Sequence, residues 1–294
     1  MKILFPINSF HHLTGSEMYV YELGRELVRL GHRVTVAAGR VEGDMAAPAK
    51  AAGILTHRFA NVPLEKFDII HASETRPTQW ALSRWLRTPV LCTVHSQYPC
   101  ERPVLDARVR HYVCVRPQVQ DKIVSEDRVP VAKTSVIYNP VDFSRFRPVH
   151  GNGERTDGWS RLLFCGTIDQ LRRQTILDLI RRTASERRLL TLVGRKADNY
   201  DGYIERLPDT VKWHDQTWNV ERFIHECDET AGIFLGRTTI EGWACGKPGW
   251  IYDLDLAGRI RSRTLHPPPA DMGRFDSRLV VKQLIGLYTE CLVL

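Results

Sequence analysis

The chain has 294 residues, 43% of them hydrophobic and 9% aromatic, with 41 Lys and Arg against 34 Asp and Glu for a net charge of +7. That apolar share supports packed cores and excludes a disordered chain, and no apolar run approaches the roughly 20 residues of a membrane span. The positive excess favours phosphates, anionic headgroups or nucleic acid as company. It is concentrated in the arginine doublets at 172–173, 181–182 and 187–188 and in Arg195-Lys196, which at helical spacing need not share one face. The seven cysteines are scattered, odd in number and without a CxxC pair, so they read as reduced thiols and not as a disulfide frame or zinc site. The opening MKILF breaks at Pro6 and turns polar by Asn8, without the apolar core of a signal peptide. The expected location is the cytoplasm, with peripheral contact to an anionic membrane surface as the variant of that reading.

Residues 2–5 form a short buried-strand pattern that runs into a loop through His12. Val20, Leu23, Leu27 and Leu30 then recur at three- and four-residue spacing, one apolar face of a helix. Thr14 and Glu17 stand three apart before it, the spacing of a capping box, so Glu17 reads first as a cap. Gly31 ends the helix and 33–38 is the next strand. Strand, loop, helix, strand is a βαβ unit and implies a parallel sheet. Further strands are expected at 68–71, 89–95, 112–115 and 135–138, with a helix over 80–86. Trp80, Trp85 and Tyr98 are either core or an acceptor subsite. A Pro-, Gly- and charge-rich break follows, in which Asp142 reads as a hinge cap. The expected domains are 1–145, a linker at 146–158, 159–274, and a terminal helix at 275–294 that packs back on the first domain.

The same grammar restarts after the break. A strand at 161–165 runs into Gly166, a helix spans 174–182, and a strand at 189–193 is closed by Gly194. A helix at 220–227, a strand at 231–235, a helix from about 239 and a last strand at 249–252 complete it. Trp213 and His214 are placed on a loop, as are Gly194, Arg195 and Lys196, where they would bracket a nucleotide base. Two α/β halves with a cleft between them is the economical architecture.

Helix N-termini preceded by glycine are ready anion sites, because free N–H groups and the helix dipole point at the ligand. Three occur: Gly15-Ser16, Gly166-Thr167 and Gly236-Arg237-Thr238-Thr239. None matches a Walker loop or GxGxxG. Beside the third stands Glu241, a lone carboxylate in the apolar stretch TTIEGWACGKPGWIYD. Buried, it costs several kcal/mol unless it is hydrogen-bonded.

The segments TGSEMYVYELGRELVRLGHRVTV, VIYNPVDFSRFRP, LLFCGTID and IEGWACGKP occur in the order of the signature segments of family-4-type retaining glycosyltransferases, which the chain resembles from residue 1 to about 255. The resemblance implies a GT-B fold, two Rossmann-like α/β domains facing each other across a cleft that holds the active site. It implies transfer of a hexose from a nucleotide-diphosphate sugar to a hydroxyl acceptor on a glycan, a lipid, a small molecule or DNA, with retention. Glu241 is similar to the second acid of the family's paired-acid motif, which accepts hydrogen bonds from the donor ribose. His95 stands where the family places a histidine at the sugar and its leaving phosphate. Arg172, with Arg173 beside it, takes the diphosphate role. Gly15, Ser16, Gly166, Thr167, Gly194, Arg195, Gly236, Arg237, Thr238 and Thr239 complete the expected donor site.

The sequence also departs from the pattern. The first acid of the motif falls on Ile233, and Thr167 stands where an arginine is usual. No metal and no cofactor beyond the nucleotide sugar is expected. The alternatives are a donor-binding protein with weak or no turnover, a glycosyltransferase acting on DNA bases, and a nucleotide-sugar epimerase, which would need a second catalytic carboxylate.

Overall fold

Ile3 to Ile7 are buried without interruption, which suits a strand covered on both faces. In the computed structural model, which describes residues 1–96, 98, 101–149 and 158–293, they lie in β1 (Lys2–Ile7). The chain divides into two units, Met1–Pro140 with Arg274–Leu294, and Val141–Gly273. Residues 150–157, most of the stretch read as the linker, lie outside the described residues.

The first unit continues with α1 (Gly15–Arg29), β2 (Arg33–Ala38), α2 (Ala46–Ala51), β3 (Leu55–Arg58), β4 (Ile69–Ala72) and α3 (Thr75–Arg84). Then come β5 (Val90–Val94), β6 (Val109–Cys114), α4 (Pro117–Ser125) and β7 (Thr134–Val136). Its seven strands are parallel in the order β3-β2-β1-β4-β5-β6-β7. Order reverses between β1 and β4, the topological switch point of a doubly wound sheet. The capping box at the head of α1 is formed. Glu17 goes further, accepting the backbone N–H groups of His11 at 2.9 Å, His12 at 3.2 Å and Thr14 at 3.2 Å, so one carboxylate fixes the whole β1–α1 loop.

The second unit holds β8 (Ser160–Cys165), α5 (Arg173–Ser185), β9 (Arg188–Val193), β10 (Val211–His214), α6 (Val220–Glu226), β11 (Glu229–Ile233), α7 (Arg237–Ala244), β12 (Gly249–Leu254) and β13 (Ile260–His266). The order is β10-β9-β8-β11-β12-β13, parallel except for β13. Its switch point lies between β8 and β11. The last helix, α8 (Ser277–Val293), returns to the first unit, where it packs on α1, β4, β5 and β6 through Val280, Val281, Leu284 and Tyr288.

Three strands escaped the sequence reading, as did the short helices α2 and α4. β3 and β13 are sheet edges in which no residue is buried, so they carry no apolar alternation. Trp213 and His214 are not on a loop: they end β10, whose polar Lys212 and His214 hide the strand. Trp80 and Trp85 are both core: Trp85 is buried, and Trp80 packs on it at a 5.4 Å ring separation. Asp142 caps its own turn, accepting Ser144 N–H at 2.9 Å.

Candidate functional site

In the second unit the register brings the strand ends to one level. Cys165 pairs with Val193, Val193 with His214, and Ile233 with Tyr252. Gly166-Thr167, Gly194-Arg195 and the β11–α7 loop therefore leave the sheet at the same carboxyl edge, where open α/β sheets bind ligands. Gly194 is needed for closeness: a Cβ there would lie 1.9 Å from the Gly166 carbonyl oxygen, and its φ is +157°. Trp213 Nε1 donates to the Gly194 carbonyl at 2.9 Å, so β10 pins this turn. Ile168 N–H bonds the Arg195 carbonyl at 2.9 Å, tying the loops after β8 and β9 together.

Across the switch point, α7 starts at Gly236 as N-cap. Thr238 Oγ1 donates to the Cys165 carbonyl at 2.9 Å, fastening the helix start to the end of β8. Phe234 just before it sits at φ 51°, a left-handed conformation unfavourable for a bulky side chain. Thr239 is fully buried against Gly232 and Gly249, on the sheet side of α7.

Glu241 lies one turn on and is 4% exposed. Its Oε1 accepts Arg237 Nε at 2.6 Å, an i,i+4 pair with both side chains nearly buried. The apolar stretch tolerates the acid because its charge partner is on the same helix face. The sequence reading placed Arg237 in the anion turn and Glu241 on the ribose; the structure shows them bonded to each other. Their charges, with that of Arg145, also reach the buried Cys165 thiol, whose pKa burial pushes up to about 12. Arg145, unmarked in the sequence, bonds Glu221 Oε2 at 2.6 Å and the Trp218 carbonyl.

Arg172 is the residue before α5, and its guanidinium lies alongside Gly166: Nε is 3.6 Å from where a Gly166 Cβ would be. Asp169 bonds its Nη1 and, at 2.9 Å, its backbone N–H. Arg173 turns away to Asp201, 3.3 Å, and the Tyr203 ring. The structure thus brings Gly166, Thr167, Arg172, Gly194, Arg195, Gly236, Arg237, Thr238 and Glu241 to one edge, with Arg173 beside it. Asp169, three residues before Arg172, was the signal available for its partner.

Among the described residues the other arginine doublets are ion-paired except at Arg187, which lies over the Trp159 ring. Arg182 pairs with Glu186, Arg188 with Glu186 and Glu229, and Arg181 with Asp178.

In the first unit, Gly15 and Ser16 open α1, and a Cβ on Gly15 would meet nothing within 4 Å. His95 follows β5 at the carboxyl edge. Its Nε2 is buried with no hydrogen-bond partner among the described residues, and its ring meets Tyr19 edge-on at 4.7 Å. Burial lowers its pKa, with Glu101 opposing and Arg116 adding to the shift, so the imidazole is neutral near pH 7. Glu74 lies at the end of β4 and receives the Asn8 N–H; burial raises its pKa, and Glu101 and Glu17 add to the rise. Behind this edge runs a buried chain: Tyr19 OH to Thr93 Oγ1 at 3.0 Å, Thr93 to His71 Nε2 at 2.7 Å, and His71 Nδ1 to Tyr288 OH at 2.6 Å. It links α1, β5, β4 and α8.

Comparison with known proteins accords with this geometry. Residues 13–145 match the family model described as Glycosyltransferase Family 4. The fold is GT-B. HepE of Anabaena in complex with UDP and glucose superposes with a TM-score of 0.77 at 15% identity, over 99% of this chain and 100% of that one. A glycosyltransferase of Rickettsia africae gives 0.72 at 15% identity, over 99% and 98%. An α-glucosyltransferase bound to UDP and a 13-mer DNA gives 0.57 at 11% identity, over 99% and 93%. No curated protein matches the chain. The family-4 resemblance read from the sequence is thus supported. Among the described residues, no helix is long and apolar enough to cross a membrane.

Proposed function

We propose that this chain is a retaining glycosyltransferase that moves a hexose from a nucleotide-diphosphate sugar to a hydroxyl acceptor, without a metal. The observation that carries the reading is the second unit's switch point. There a buried carboxylate, fixed by Arg237, stands beside the glycine-capped start of α7, the Gly166-Thr167 turn, which is a loop and not the helix start expected from sequence, and Arg172. UDP is the first nucleotide to test, because HepE was solved with UDP-glucose.

In this reading Glu241 accepts the ribose hydroxyls while Arg237 holds its Oε1. Arg172 and the backbone N–H groups at the start of α7 stabilise the charge developing on the diphosphate. Asp169 keeps the Arg172 guanidinium in place beside Gly166. The departing phosphate takes the acceptor proton, so no enzyme nucleophile is needed. His95, neutral and with Nε2 unpartnered among the described residues, contacts the sugar.

A second reading is favoured by Ile233. This residue ends β11 where the family's first acid falls, and it cannot hydrogen-bond a sugar. A chain without that acid would bind the donor with slow or no transfer. The DNA-base reading, which rested on the basic charge, finds less support, since Arg181, Arg182 and Arg188 are ion-paired. Incubation with UDP-glucose and a panel of hydroxyl acceptors, with UDP release and product anomer followed by NMR, tests the proposal. UDP release with an α-linked product supports it. Donor binding without UDP release supports the second reading, and absence of binding refutes both.

A further inference from the structure

The geometry points to a second anion site in the first unit, at the opposite edge of its sheet from His95, built for a phosphate-bearing ligand. A cavity of about 620 Å³ opens at the amino ends of β4, β5 and β6, against the last turn of α8. Lys66 and Asp68 come from the segment before β4, Arg87 from that before β5, Arg108 and Arg110 from the start of β6, and Leu292 from α8. Four cations thus face one carboxylate.

Two of these charges are already used. Asp68 Oδ2 accepts the Lys2 N–H at 2.7 Å. Arg108 is held by Asp106 at 2.9 and 2.8 Å and by the Leu82 carbonyl at 2.6 Å. That leaves Lys66, Arg87 and Arg110, which form no ion pair among the described residues. Arg110 Nε is buried with no hydrogen-bond partner among the described residues, which is costly for a guanidinium and asks for an acceptor. In the second unit Arg172, Arg173, Arg181, Arg182 and Arg188 each have an acid, and these three cations do not.

The volume lies within the range of small-molecule pockets, roughly 300–1,000 Å³. Guanidinium forks match phosphate oxygens, and lysine adds a point charge. Pro89 and Leu292 give the cavity an apolar wall, so the ligand joins a phosphoryl group to a less polar body. The source is a soluble phosphorylated compound or an anionic lipid headgroup; the chemistry is shared. This site does not depend on the donor reading.

Titration of the full chain with inorganic pyrophosphate, in the presence of excess UDP, tests the site. Cosedimentation with phosphatidylglycerol vesicles, against phosphatidylcholine vesicles, separates the sources. We expect Arg87→Ala/Arg110→Ala to weaken pyrophosphate or phosphatidylglycerol binding at least tenfold. Because Lys66 and Arg87 are exposed, Lys66→Ala/Arg87→Ala keeps the fold and must weaken the same ligand in the same direction. UDP-glucose affinity, whatever its value, stays unchanged in both variants. Wild-type binding to neither probe, or variants that bind as the wild type does, overturns the site.

Discussion

Replacing Arg237 by alanine tests how Glu241 is held. The pair is 2.6 Å long, with the arginine side chain 12% and the glutamate side chain 5% exposed. Water does little to screen charges so enclosed, so the discount due to surface pairs does not apply. Removing one partner of a buried pair leaves the other charge uncompensated, at about 3–5 kcal/mol. For a chain of this size that lowers the unfolding midpoint by roughly 6–20 °C, at about 2–4 °C per kcal/mol. Neutralising both, Arg237→Met with Glu241→Gln, removes the uncompensated charge and recovers most of the loss. Urea unfolding followed by tryptophan fluorescence measures all three proteins, and Trp243 on α7 reports locally. A loss below about 1 kcal/mol for Arg237→Ala, or a double variant no better than the single, would show that the pair is solvated and that Glu241 is not held as argued.

Other consequences follow from distinct parts of the molecule. Gly194→Ala places a methyl 1.9 Å from the Gly166 carbonyl at a φ of +157°, and should cost about 2–5 kcal/mol and abolish donor binding; wild-type urea stability would refute the close approach. His71 is buried with its pKa lowered to about 3. The unfolded chain takes up this proton near pH 6.5 and the folded chain does not, so stability is full above that pH and falls between it and 3. At pH 5 the loss from this group is about 2 kcal/mol. His71→Asn should flatten the pH dependence of unfolding between 7 and 5 by that amount, and an unchanged slope contradicts the burial argument. If Arg172 meets the diphosphate, Arg172→Ala lowers kcat/KM by about 10²–10³ with little change in stability; steady-state kinetics beside thermal unfolding decides it.

Much of the fold was legible because doubly wound sheets write themselves in buried strand runs and amphipathic helices. β1, α1, β2, β8, β9 and β12 all carry such patterns. The edges were not, since β3 and β13 bury little and so have no period to read. At the site, Gly166, Gly194 and Glu241 stood out as residue types placed against their surroundings. What could not be read was pairing at a distance: Arg145 with Glu221, the glycine-to-glycine contact, or Tyr288 reaching His71 across 217 positions. Arg237–Glu241 is the exception that sequence could have found, because four residues along a helix is one turn.

The central claim is that the β8–β11 switch point of the second unit binds a nucleotide-diphosphate sugar through Glu241. Calorimetric titration of UDP-glucose, with UDP and the GDP, ADP and TDP sugars beside it, measures this directly on wild type, Glu241→Ala and Arg172→Ala. The account predicts saturable binding of one donor class to the wild type, weakened at least tenfold by either substitution. Wild-type binding that Glu241→Ala leaves intact, or no binding of any donor, would contradict it.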